Sequence, residues 1–175
     1  MGNAQPDWLG GWSNTISYKD VSLSFLIDAR IGGQIYSQTS AELDEFGLSE
    51  RSLQYRESGV VLSGTNTDTN AENTVNVSGQ DYWKTMSQIS SNYVYDQDNV
   101  RLRELSIGYK LPIAQELGIE SAYLQLVGRN LFFLSKAADD IDPEVMLGTS
   151  LGTQGMSHNP MPTMRSIGMN LTLNF

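Results

Sequence analysis

The chain has 175 residues, a net charge of −9, one histidine and no cysteine. The acidity argues against a nucleic-acid partner, and the lack of cysteine excludes disulfides and thiol chemistry. The hydrophobic fraction is 39% and no apolar run is long enough for a membrane helix, which leaves open a membrane barrel, whose strands alternate.

Residues 3–11 read as a turn-rich lead-in: Asn, Pro-Asp, then Gly-Gly. They do not read as a signal peptide, having no basic start and no apolar stretch. Trp12 to Tyr18 alternates, and Lys19-Asp20 reads as a tight hairpin turn. Val21 to Ile31 is the clearest strand: Val21, Leu23, Phe25, Ile27, Ala29 and Ile31 are apolar, and Asp28 and Arg30 stand on the opposite face. Gly32-Gly33 marks a bulge, with pairing carried on to about Tyr36.

Residues 37–99 read as a long, mostly irregular loop with a solvated low-complexity stretch at 63–70 and a helical turn at 48–53. A connection of this length is expected to be functional. Its aromatics Tyr82, Trp83, Tyr93 and Tyr95 are candidate ligand contacts, because flat rings stack on the apolar faces of sugars. The alternative is packing against neighbouring loops.

Val100 to Leu111 is a strand ended by Pro112, with Leu105, Ile107, Tyr109 and Leu111 against Glu104, Ser106, Gly108 and Lys110. Residues 113–119 read as a short connector with one helical turn closed by Gly118. Glu120 to Leu134 is a weaker strand, and residues 135–162 a second loop. That loop carries Asp139, Asp140, Asp142 and Glu144. Oxygen donors of this kind suit Ca²⁺, but the spacing is not that of an EF-hand: Val145 stands where that loop needs glycine. A solvated acidic loop is the expected reading, and no metal or other cofactor is expected. His158 has no motif partners for a hydrolytic triad, so no enzyme is expected. Thr163 to Phe175 closes the chain with Ile167, Met169, Leu171, Leu173 and Phe175 on one face.

Five strands therefore alternate with connections of about two, sixty, seven and twenty-eight residues. In an antiparallel sheet the short connections fall at one end and the long ones at the other. Residues 37–99 hold ten acidic and three basic side chains, and 136–162 four acidic and one basic, so the negative charge sits in the long loops. This is the asymmetry of outer-membrane barrels. The expected fold class is all-β: an antiparallel up-and-down transmembrane β-barrel segment with long extracellular loops. Asp28, Arg30, Glu104 and Lys110 then face the lumen, and Trp12, Tyr18 and Tyr109 fit the interfacial aromatic girdles. The alternative is a soluble secreted β-sandwich that binds carbohydrate and turns its apolar faces inward.

Several segments also match a family, in its order and over nearly the whole chain. They are Gly2 to Trp12, Val100-Arg-Leu-Arg-Glu-Leu-Ser-Ile-Gly-Tyr-Lys-Leu-Pro112, Gly128-Arg-Asn-Leu-Phe132, Asp142-Pro-Glu-Val145 and Asn170-Leu-Thr-Leu-Asn-Phe175. They resemble the C-terminal part of the SusC/RagA family of TonB-dependent outer-membrane transporters. Arg129 departs from the glutamine common in that family's Gly-x-Asn-Leu-Phe motif. The resemblance implies that residues 1–175 are the last five strands of a barrel of about 22, with the plug domain absent from this chain and Met1 the start of a truncated gene or of a fragment. It implies a bacterial outer-membrane location and nutrient import energised through TonB. The implied partners are a SusD-like surface lipoprotein, the TonB complex, the rest of the barrel, outer-membrane lipid and an oligosaccharide or peptide substrate. Ile167, Met169, Leu171, Leu173 and terminal Phe175 resemble the signal read by the barrel-assembly machinery.

Overall fold

A computed structural model describes residues 2–112, 118–150 and 152–175. The chain divides into two compact units, Met1–Gln34 with Asp96–Val145 and Met161–Phe175, and Ile35–Tyr95 with Met146–Pro160.

The first unit is an antiparallel sheet of β1 (Trp8–Tyr18), β2 (Val21–Ile31), β7 (Asn99–Leu111), β8 (Ser121–Lys136) and β10 (Ser166–Asn174), adjacent in that order. The five expected strands are present. β1 starts four residues earlier than its alternation suggested. Gly10 and Gly11, read as a turn, lie inside it because the Trp8 ring packs over Gly10, where a Cβ would collide with it. Gly32 and Gly33 are not a bulge within a continuing strand. Both have positive φ, 79° and 89°, and they end β2. The expected helical turn at 113–119 falls mostly on residues outside those described.

Cross-strand register sets two faces. Phe25 lies opposite Asn14 and Leu105, Ile107 opposite Leu23 and Leu126, and Met169 opposite Leu126. The resulting apolar face is open: Trp12 is 60% exposed and Ile167 78%. A sandwich would bury that face, so the soluble-sandwich alternative fails on this observation. Short connections lie at one end, where Lys110 donates its N–H to the Asp20 carbonyl and Glu120 its own to Asn174. The long ones lie at the other.

Against β2 the alternation of β7 breaks once. Its partner register jumps so that Leu26 faces Glu104 and Ile27 faces Leu102, leaving Arg103 as an extra residue. On the other side Arg103 meets two residues, Asn130 and Leu131, because Leu102 pairs with Phe132 and Glu104 with Arg129. Asn130 takes a left-handed φ of 51°, a conformation asparagine tolerates better than most residues. This bulge moves Val100 and Leu102 onto the same apolar face as Leu105 and Ile107, although their parity differs.

The second unit corrects the expectation of an irregular loop. It contains part of β3 (Gln34–Ser37), then α1 (Gln38–Glu45), the β4–β5 pair (Val60–Val61 with Asn76–Val77), α2 (Gly79–Met86) and β9 (Met156–Ser157). Between β5 and β7 the short β6 (Val94–Asp96) leads out of it. Ser37 and Ser78 cap the two helices by accepting from the N–H of Ser40 and Asp81, each at 3.1 Å. The predicted turn at 48–53 is a 3₁₀ turn at Arg51–Leu53. β3 pairs in parallel with β9 through Tyr36 and Ser37. Ile35, Ala41 and Tyr93 form the apolar core. A buried carboxylate organises the rest: Asp44 accepts from Ser49 Oγ (2.5 Å), Arg51 Nε (3.0 Å) and Tyr93 Oη (2.8 Å). Several charge-assisted bonds offset the desolvation of that charge.

Candidate functional site

The polar face of the sheet carries its chemistry. Near the short-turn end its side-chain hydrogen bonds join uncharged groups. Ser22 and Tyr123 hydroxyls bond at 2.5 Å, Ser24 and Ser106 at 2.7 Å, and Gln125 Nε2 donates to Ser106 at 3.1 Å. Tyr123 lies over Gly108, where a Cβ would collide with its hydroxyl. Further along, Arg129 pairs with Glu104 at 3.2 Å.

At the bulge the face becomes strongly charged. Arg103 Nε donates to Asp28 Oδ2 at 2.7 Å, its Nη1 to Asn130 Oδ1 at 3.0 Å, and its Nη2 to Glu144 Oε1 at 2.5 Å. Arg101 reaches the same Glu144 at 2.6 Å and stacks on Phe133 with 4.5 Å between guanidinium and ring centre. Arg30 donates to Gln97 Oε1 at 2.5 Å. An open pocket of about 610 Å³ lies against Gly11, Asp28, Arg30, Arg103 and Glu144. The four expected charged residues, Asp28, Arg30, Glu104 and Lys110, all stand on this face, Lys110 paired with Tyr123 on β8. Arg101 and Arg103 were not among them. Strict parity with Leu105 puts both on the apolar face, and only the bulge turns them round.

The acidic cluster does not converge. Glu144 is engaged by the two arginines, and Asp142 Oδ2 accepts from Thr163, N–H at 3.0 Å and hydroxyl at 2.6 Å. Burial pushes the Asp142 pKa up, but the Thr163 and Glu144 hydrogen bonds outweigh it and hold the carboxyl below its ordinary range. Among the described residues no group of three or more acidic or histidine side chains is placed to hold a metal ion. Asp142 and Glu144 instead fasten the start of the second loop to the sheet. Pro143 between them is fully buried, and its carbonyl accepts from Gln97 at 3.4 Å.

The four loop aromatics separate in role. Tyr93 is 1% exposed and its hydroxyl is committed to Asp44, so it offers a ligand no ring face. Burial and the Asp44 carboxylate together push the Tyr93 pKa well above the ordinary phenol value. Tyr82 and Trp83 meet edge-to-face at 5.1 Å, and Tyr55 meets Tyr82 in the same way at 5.3 Å. Arg51 lies over both Tyr93 and Trp83, at 5.0 and 5.7 Å. Tyr95 is half-buried, and its buried hydroxyl has no partner among the described residues. His158 sits 3.1 Å from Glu42. Asn159 above all, which donates to Glu42 at 2.9 Å, lowers that carboxyl's pKa.

An exposed apolar face, a charged opposite face and one-ended long loops invite comparison with known barrels. No family model matches the chain. It is 26% identical over 182 residues to TonB-dependent receptor P3 of Formosa agariphila and 27% over 184 residues to TonB-dependent receptor P26 of the same organism. Both alignments cover all of this chain but only 17% and 18% of the relative. Among solved structures, 98% of the chain superposes on RagAB peptide importer and transporter chains. TM-scores are 0.61 and 0.64, at 21% and 19% identity, over 18% and 17% of those chains. The chain has the barrel-wall fold of TonB-dependent receptors. The motif resemblance is thereby borne out, and with it the all-β antiparallel fold class and the outer-membrane location. The chain spans less than a fifth of the length of the relatives it matches.

Proposed function

We propose that this chain supplies wall, lumen lining and extracellular loops to an outer-membrane nutrient importer energised through TonB. In that reading the charged face lines the lumen, with Asp28, Arg30, Glu104 and Lys110 joined by Arg101 and Arg103. The second unit forms part of the outer capture surface and meets a SusD-like lipoprotein, as the RagAB pairing suggests by analogy. The substrate is an oligosaccharide or a peptide. The observation that carries this is the sheet's division into an open apolar face and an ion-paired polar face. In a lipid-embedded wall the apolar side chains meet acyl chains, and the charges stay wet.

The test is uptake by cells that carry or lack the full-length protein, with fluorescent oligosaccharides and peptides as cargo. Import that requires both this protein and TonB supports the reading. Unchanged import of every cargo on deleting the gene, with the protein normally expressed in the parent strain, removes it. Excision of residues 38–92 in an assembled barrel is expected to lower capture more than expression.

A further inference from the structure

A pocket of about 530 Å³ opens in the second unit, between the end of α1 and the start of α2. That is within the range of small-molecule sites. Two aromatic side chains line it, Phe46 and Trp83. Phe46 is 69% exposed. Trp83 is held from three directions: its indole N–H donates to the Gln54 carbonyl at 3.1 Å, Tyr82 meets it edge-on, and Arg51 covers its ring. Gly79 lets α2 approach the Tyr55 carbonyl so closely that a Cβ would strike backbone, which fixes Trp83 relative to the 55–56 segment.

Three planar polar groups stand around these rings: Glu45, Gln80 and Arg56. Glu45 and Gln80 make no side-chain hydrogen bond or ion pair among the described residues. Arg56 spends one amine on the Gly47 carbonyl at 2.6 Å and keeps its other donors. The third charge at the wall, Asp44, is neutralised by Arg51 at 2.5 Å. The remaining pair, Glu45 and Arg56, cancels.

We propose that this pocket binds a neutral oligosaccharide. A pyranose ring has an apolar face of C–H groups and a rim of adjacent hydroxyls. Aromatic rings cover such a face, and carboxylate, amide and guanidinium groups each offer two neighbouring hydrogen-bonding positions to the rim. The lining presents no uncompensated charge to a charged ligand. No strand edge lines the pocket, and a strand edge is the means by which extended peptides are commonly held. The proposal rests on the outer loops being the importer's capture surface, but its chemistry is local to the pocket.

The experiment uses the full-length protein in detergent, a panel of neutral hexasaccharides of glucose, xylose, mannose and galactose, and titration calorimetry. At least one sugar is expected to bind saturably. Phe46→Ala should weaken it about tenfold, Gln80→Ala should weaken it measurably, and Leu48→Ala, at an exposed site outside the lining, should not. No binding by any member of the panel overturns the proposal, as does wild-type affinity in both Phe46→Ala and Gln80→Ala. Binding of a casein tryptic digest that is lost in Phe46→Ala assigns the pocket to peptides and also overturns it. Uptake is a separate readout: sugar binding in a protein that imports nothing keeps the pocket and removes the importer reading.

Discussion

Glu144 is the residue on which the charged face depends. It is one carboxylate shared by two arginines on adjacent turns of the pleat, and Arg101 is almost wholly buried. Breaking such a pair leaves charge without compensation, whereas replacing all its members with apolar groups need not. Glu144→Ala is therefore expected to cost about 3–5 kcal/mol of folding free energy. Urea titration of the full-length protein in liposomes reads this directly, and a change below about 1 kcal/mol would show that water already satisfies the arginines. Asp142 depends differently on acid. Its folded pKa lies below the ordinary range, so its tether to Thr163 is fully present above the unfolded value and is lost as pH falls through the folded one.

At the scale of elements, the bulge between β7 and β8 decides which side chains the charged face carries. Asn130 serves it twice, through a left-handed backbone and through hydrogen bonds to Arg103 and the Met164 carbonyl. Asn130→Gly keeps the backbone and loses the bonds. Asn130→Val loses both and should be less stable than the glycine variant by about 1–3 kcal/mol. Equal stabilities, measured by the same urea titration, would mean that the backbone there relaxes to an ordinary strand. The bulge was visible in the sequence as a collision of two alternations. Val100 and Leu102 are apolar at even positions, Leu105 and Ile107 at odd ones, and Arg103-Glu104 lies between. Reading one parity through the whole strand concealed it and hid Arg101 and Arg103. The strands themselves were legible because period two needs only local sequence. The second unit was not, because its order comes from Asp44 gathering Ser49, Arg51 and Tyr93 across 49 residues of chain, a convergence without any period.

At the scale of the molecule, the apolar face has the dimensions of a bilayer. Trp8 and Trp12 lie towards the long-loop end, and Tyr18 and Tyr109 at the short-turn end, all exposed. β1 spans 11 residues, about 33 Å along the strand and, tilted by the usual 35–45°, about 25 Å along a barrel axis. Aromatic side chains thus bracket an apolar band of the height expected for a barrel wall. Leu126 sits inside that band, 52% exposed, between Ile107 on one neighbour and Met169 on the other. A charge there must lie in hydrocarbon if the face meets lipid, and merely in water if it does not. Leu126→Arg in the full-length protein is therefore expected to lose about 2–4 kcal/mol of folding free energy in liposomes. Ile31→Arg, at the long-loop end of β2 opposite Trp8, should lose only about 0–1 kcal/mol. The contrast between the two positions carries the argument, since both replace an exposed apolar side chain on the same face. Equal losses would mean that depth does not matter there, and the face would then have to be covered by protein rather than by acyl chains.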